Sequence, residues 1–86
     1  MNLNTFDKIR VAQNFEGFWN SSTKPSVFEA IQMTAFDMME DEIGLEKAND
    51  QSIQYDEMGP EYASDFCYFI QVVTKVLANY GKFTIK

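Results

Sequence analysis

The stretch from Pro60 to Tyr80 constrains this chain more than any other. Tyr62, Ala63, Phe66, Phe69, Ile70, Val73, Val76, Leu77 and Tyr80 recur at three- and four-residue intervals. At ~100° per residue they fall on one continuous face. Ser64, Tyr68, Gln71, Lys75 and Asn79 lie opposite. A stripe this wide predicts an α-helix over 60–80 that must bury one whole side, so the rest of the chain has to supply its cover. Glu61 and Asp65 complement the positive end of its dipole, Lys75 sits nearer the negative end, and Gly81 suits the residue after a helix stop.

Two further helices are predicted as that cover. From Asn4 to Trp19, Val11, Phe15, Phe18 and Trp19 share one face, while Phe6 and Ile9 fall on another and Gly17 weakens the second half. Asn4 or Thr5 can cap this helix, and Asp7 suits its first turn. Asn20 to Pro25 reads as a turn that also opens the next helix, with a Ser or Thr cap and Pro25 in the first turn. That helix runs from about Pro25 to Ile43 on the stripe Phe28, Ile31, Ala35, Met38 and Met39, and Gly44 stops it.

The remaining segments carry weaker signals. Leu45 to Gly59 is polar: Leu45–Asn49 is compatible with one helical turn, and Ser52-Ile53-Gln54-Tyr55 alternates like a short strand. The tail Lys82-Phe83-Thr84-Ile85-Lys86 alternates as well and is a candidate partner for that strand. The expected fold is therefore mainly α, a small three-helix bundle with a strand-like C-terminal tail, in one domain spanning 1–86. A small α+β domain is the alternative.

Composition narrows the function classes. At 86 residues, with 45% hydrophobic and 15% aromatic residues, the chain builds one core. The net charge is −6, and the lysines and Arg10 are scattered, so no basic stripe exists to neutralise a phosphate backbone and direct nucleic-acid binding is not expected. A single cysteine, Cys67, and no histidine exclude an internal disulfide, a Cys/His zinc site within one chain and the Ser-His and Cys-His dyads. No signal-peptide pattern opens the sequence, and no apolar run approaches the ~20 residues of a membrane span, so a cytoplasmic protein is expected. Cys67 and Trp19 read first as packing residues.

The remaining chemistry lies in the acids. Asp37 and Glu40 are three apart, with Asp41 adjacent, and Glu61 and Asp65 are four apart on the final helix. Carboxylates that face one another from two helices can hold Mg²⁺. The pairs Asp37-Met38-Met39-Glu40 and Glu61-Tyr62-Ala63-Ser64-Asp65, with Glu42-Ile43-Gly44 and the run Asp65–Ile70, resemble the all-α MazG-like nucleotide pyrophosphohydrolases, whose helices carry ExxE and ExxD pairs. The resemblance implies Mg²⁺-dependent pyrophosphate release from a nucleotide triphosphate, with Asp37, Glu40, Glu61 and Asp65 as ligands. The sequence departs from that pattern in three places: Asp37 stands for Glu, the second pair is one residue too long, and Leu45 replaces a further Glu.

Helical phase points elsewhere. Asp37, Glu40 and Asp41 lie nearly opposite the Phe28–Ile31–Ala35 stripe, where a solvated face belongs. The favoured expectation is an acidic protein-binding module or inhibitor without chemistry or cofactor of its own. It would present Asp37, Glu40, Asp41, Glu42, Glu46, Asp56, Glu57 and Glu61, with the polar-face aromatic Tyr68, to a basic partner such as a nucleic-acid-binding protein. Short acidic chains of phages and mobile elements offer a fold-free analogy. A helical subunit of a homodimer or larger assembly is the third reading.

Overall fold

The computed structural model describes residues 5–80, and side chains from 7 to 79. It is mainly helical, with four α-helices: α1 (Thr5–Trp19), α2 (Val27–Ile43), α3 (Leu45–Met58) and α4 (Ser64–Tyr80), with a 3₁₀ turn, Pro60–Tyr62, between α3 and α4. The bundle therefore has one helix more than expected. No strand occurs among the described residues, and the strand expected at Ser52–Tyr55 lies within α3. The alternating tail, Lys82–Lys86, lies outside the described residues.

α2 and α4 pack against each other at the centre. α1 and α3 each touch both of them but not one another. The α4 stripe supplies most of the core: Phe66, Phe69, Val73, Val76 and Leu77 are buried, and Ala63 is buried just before the helix. Against them lie Ala30, Ile31, Ala35 and Met39 of α2, Val11, Ala12 and Phe15 of α1, and Ala48 of α3. Trp19 packs its ring on Phe15, with centroids 5.4 Å apart, and stays half-buried. Thr34, the buried polar residue of this core among those described, donates its hydroxyl to the Ala30 carbonyl at 2.8 Å, so no polar atom is stranded there.

Two expected core residues lie outside it. Phe28 is 52% exposed in the first turn of α2, where Val27 and Ala30 take the inward positions. Tyr62 is 57% exposed because the 3₁₀ turn interrupts the helical phase and α4 restarts at Ser64. The start of α2 also differs. Ser26 is the cap and Pro25 precedes it, so the proline is not in the first turn. Ser26 Oγ accepts the Glu29 N–H at 3.1 Å, and the Ser26 N–H donates back to Glu29 Oε1 at 3.1 Å. This reciprocal pair satisfies two otherwise orphaned donors. It also holds the fully exposed Glu29 carboxyl below its ordinary range, because the Ser26 backbone and then its hydroxyl favour the charged form.

α3 begins one residue after α2 ends. Gly44 makes that possible with φ at +91°, in a region that L side chains rarely enter. Its N–H donates to the Glu40 carbonyl and its own carbonyl accepts the Ala48 N–H, each at 3.0 Å. One glycine thus ends one helix and starts the next. α3 itself buries only Ala48 completely. It is tied to α4 by Gln51, whose Oε1 accepts the N–H groups of Asp65 and Phe66 at 3.1 and 3.2 Å. Tyr55 adds an edge-to-face contact with Phe66, with centroids 5.1 Å apart. A glutamine of one helix therefore caps the N-terminus of another.

Candidate functional site

Because α1 and α3 do not meet, a cleft of about 340 Å³ remains between them. α2 lines it with Gln32, Met33, Phe36 and Asp37. Phe18 of α1, Ser52 and Asp56 of α3, and Phe66 of α4 complete its lining. Helical spacing explains the contribution of α2. Ile31, Ala35 and Met39 face inward, so Gln32, Met33 and Phe36 turn outward, while Asp37 turns toward α1. Met33 is 40% exposed and Phe36 is half-buried, which leaves apolar surface open to a ligand.

The acids singled out from sequence take different surroundings. Asp37 is not simply solvated: it is half-buried, and its Oδ2 accepts from Asn14 Nδ2 at 3.1 Å. Asp41 is exposed and meets Arg10 Nη2 at 3.4 Å, with both side chains about 60% exposed (60% and 61%). Such a pair contributes ~0–1 kcal/mol. The solvated face expected for this part of α2 is therefore partly covered by α1. Glu40 is half-buried, and Glu42 is exposed at the end of the helix. Glu46 is exposed in the first turn of α3, where it complements the dipole. Asp56 and Glu57 are exposed near the other end of α3, and Asp56 alone of the two lines the cleft.

Glu61 is exposed on the 3₁₀ turn, with its carboxylate close over Gly59. Asp65 is exposed in the first turn of α4. Tyr68 is 41% exposed, with its ring edge-on to Phe69 at 5.5 Å between centroids. Cys67 is half-buried, and its thiol donates to the Pro60 carbonyl at 3.4 Å.

The structure brings Asp37 and Asp56 to one cleft from two helices. Among the described residues, no group of three or more Asp, Glu, Cys or His side chains gathers so as to hold a metal ion. Asp37, Glu40, Glu61 and Asp65 are thus not assembled into the ligand set that the MazG-like resemblance implies. The apolar lining was not singled out from sequence. Its signal was available: Phe36 and Met33 are large apolar residues off the core stripe of α2, a position that calls for a reason.

Charge is unevenly distributed along the chain. Ten of the thirteen acids lie between positions 37 and 65, against a single base, Lys47. Eight of the ten are exposed, and Asp37 and Glu40 are half-buried. This segment covers the second half of α2, all of α3, the 3₁₀ turn and the start of α4. No helix among the described residues is long and apolar enough to cross a membrane.

Comparison of the chain with protein-family models, curated proteins and solved structures finds no match.

Proposed function

We propose that this chain is a cytoplasmic protein-binding module that presents the carboxylate-rich half of its bundle to a basic surface on another protein. The observation that carries this reading is the segregation of charge: the 37–65 segment holds ten acids and one lysine, and most of those acids are exposed. Their summed field extends over a surface and draws a basic partner from a distance. A basic surface of this kind is also what proteins use to hold nucleic acid, so a nucleic-acid-binding protein is the natural target and inhibition by occupancy the natural consequence. Tyr68, exposed on α4, adds an aromatic of the type enriched at interfaces.

The test is capture of partners from the cell of origin on the immobilised chain, with a Glu46→Gln, Asp50→Asn, Glu57→Gln variant beside it. All three positions are exposed on α3. The expected result is retention of a defined basic protein at low salt, release as salt shortens the screening length below its ~8 Å physiological value, and loss on the variant. Retention that is indifferent to both salt and the three substitutions overturns the reading. Sedimentation of the isolated chain addresses assembly with a second copy: concentration-dependent association that excludes the basic protein makes the acidic surface a self-interface instead.

A further inference from the structure

The wide acidic surface says where a basic partner approaches; the cleft between α1 and α3 says what it inserts. We infer that the cleft receives a basic amphipathic helix of the partner, with one large apolar side chain seated among Phe18, Met33 and Phe36 and a lysine or arginine one turn away reaching Asp56 and Asp37. This rests on the reading of the chain as an acidic binding module, and it narrows that reading to one place and one kind of ligand.

Three observations carry it. The volume, about 340 Å³, is at the small end of the roughly 300–1,000 Å³ typical of ligand pockets, which suits an inserted side chain better than a large cofactor. The lining is mixed in the way a helix-in-groove site requires. Its apolar surface is accompanied by two carboxylates from neighbouring helices, Asp37 on α2 and Asp56 on α3. Finally, Asp37 is oriented by an uncharged partner: Asn14 Nδ2 donates to its Oδ2 at 3.1 Å. An incoming ammonium or guanidinium thus meets a half-buried carboxylate already held in place. The fit is to cations: an acidic helix would bring like charges against both carboxylates.

The experiment is a titration of the ¹⁵N-labelled chain with a synthetic amphipathic peptide bearing lysines on one face and leucine and phenylalanine on the other. The same peptide with glutamates for lysines, and one with alanines for the apolar anchors, serve as controls. Amide shifts are expected to concentrate at Met33, Phe36, Asp37, Ser52 and Asp56. Met33→Glu and Asp56→Lys are each expected to weaken the lysine peptide by about tenfold or more, the scale of a lost anchor or charged hydrogen bond. Asn49→Lys also places a lysine on the exposed side of α3, outside the cleft and at a position that is not one of the acids, and is expected to cost no more than about threefold. Should Met33→Glu perturb folding, the exposed Asp56 position still decides the matter. Equal weakening by Asp56→Lys and Asn49→Lys, equal binding of the glutamate peptide, or undiminished binding of the alanine peptide each overturns the cleft as the site. None of these results touches salt-sensitive capture of a basic protein by the wider surface, so the two readings fail separately.

Discussion

α3 and α4 are neighbours of similar length, yet they are held in place by different means. α4 buries a full apolar stripe from Phe66 to Leu77, and its stability comes from area removed from water. α3 buries Ala48 completely and otherwise depends on a one-residue connection through Gly44, two hydrogen bonds to Gln51 and the ring of Tyr55 against Phe66. The first helix organises the core. The second is fastened to its rim, and it carries much of the acidic surface. A helix that needs little apolar surface to stay folded has most of its circumference free for charge. This is how a small domain can present a dense acidic face without diluting its core.

The contrast predicts a graded set of outcomes. Leu77→Ala removes a fully buried side chain from α4 and is expected to cost about 2–5 kcal/mol. Chemical denaturation should show that loss as one cooperative transition, because the core it damages is shared by all four helices. Gly44→Ala comes next, at about 1–3 kcal/mol. A Cβ there meets nothing within 4 Å, so the cost is conformational, arising from the positive φ rather than from a clash. Hydrogen exchange should place its effect first at the junction of α2 and α3.

Gln51→Ala removes the acceptor for two N–H groups at the start of α4, and by analogy with helix caps it is expected to cost about 0.5–2 kcal/mol. Faster exchange confined to α3 and the first turn of α4 would sharpen the comparison. A loss as large as that of Leu77→Ala would break it, by showing that α3 is part of the core. The smallest effect concerns pH. The Glu29 carboxyl lies below its ordinary range in the folded chain, so the unfolded chain binds its proton first as pH falls. The ionised form of the Glu29 carboxyl therefore contributes its share of the capping-box stability fully above the ordinary glutamate value of about 4.3. Its contribution declines below that value and is gone once pH has passed through the lower folded value. A Glu29→Gln variant should show a slightly weaker dependence of stability on acid than the parent, read from denaturation midpoints between neutral pH and pH about 3.

How legible each region was follows from the same contrast. α4 could be read from sequence because its burial is written as periodicity. α3 could not, because Ala48, Gln51, Ser52, Gln54 and Tyr55, the residues it buries wholly or in part, include three polar ones and form no apolar stripe. Within it, Ser52-Ile53-Gln54-Tyr55 alternates over four residues, which is short enough for a helix to accommodate with Ile53 outward and Tyr55 inward. The acidic character of 37–65 was plain from the sequence, but the distinction among its members was not. Asp37 meets Asn14 across 23 positions, and Asp41 meets Arg10 across 31. The cleft was equally hidden, because its lining comes from four helices and depends on α1 and α3 failing to touch.

Taken alone, the order of residues determined a mainly helical chain organised around the 60–80 stripe, an excess of negative charge and the lack of histidine chemistry. These are local or additive properties, set by helical phase and by counting. Tertiary structure alone decided that the polar 45–58 segment is a helix, that Gln51 caps a helix other than its own, and that Asp37 and Asp56 share a cleft. Each of these depends on groups distant in the chain being brought together. The favourable term, a satisfied N–H or an excluded water, exists only after the helices have packed.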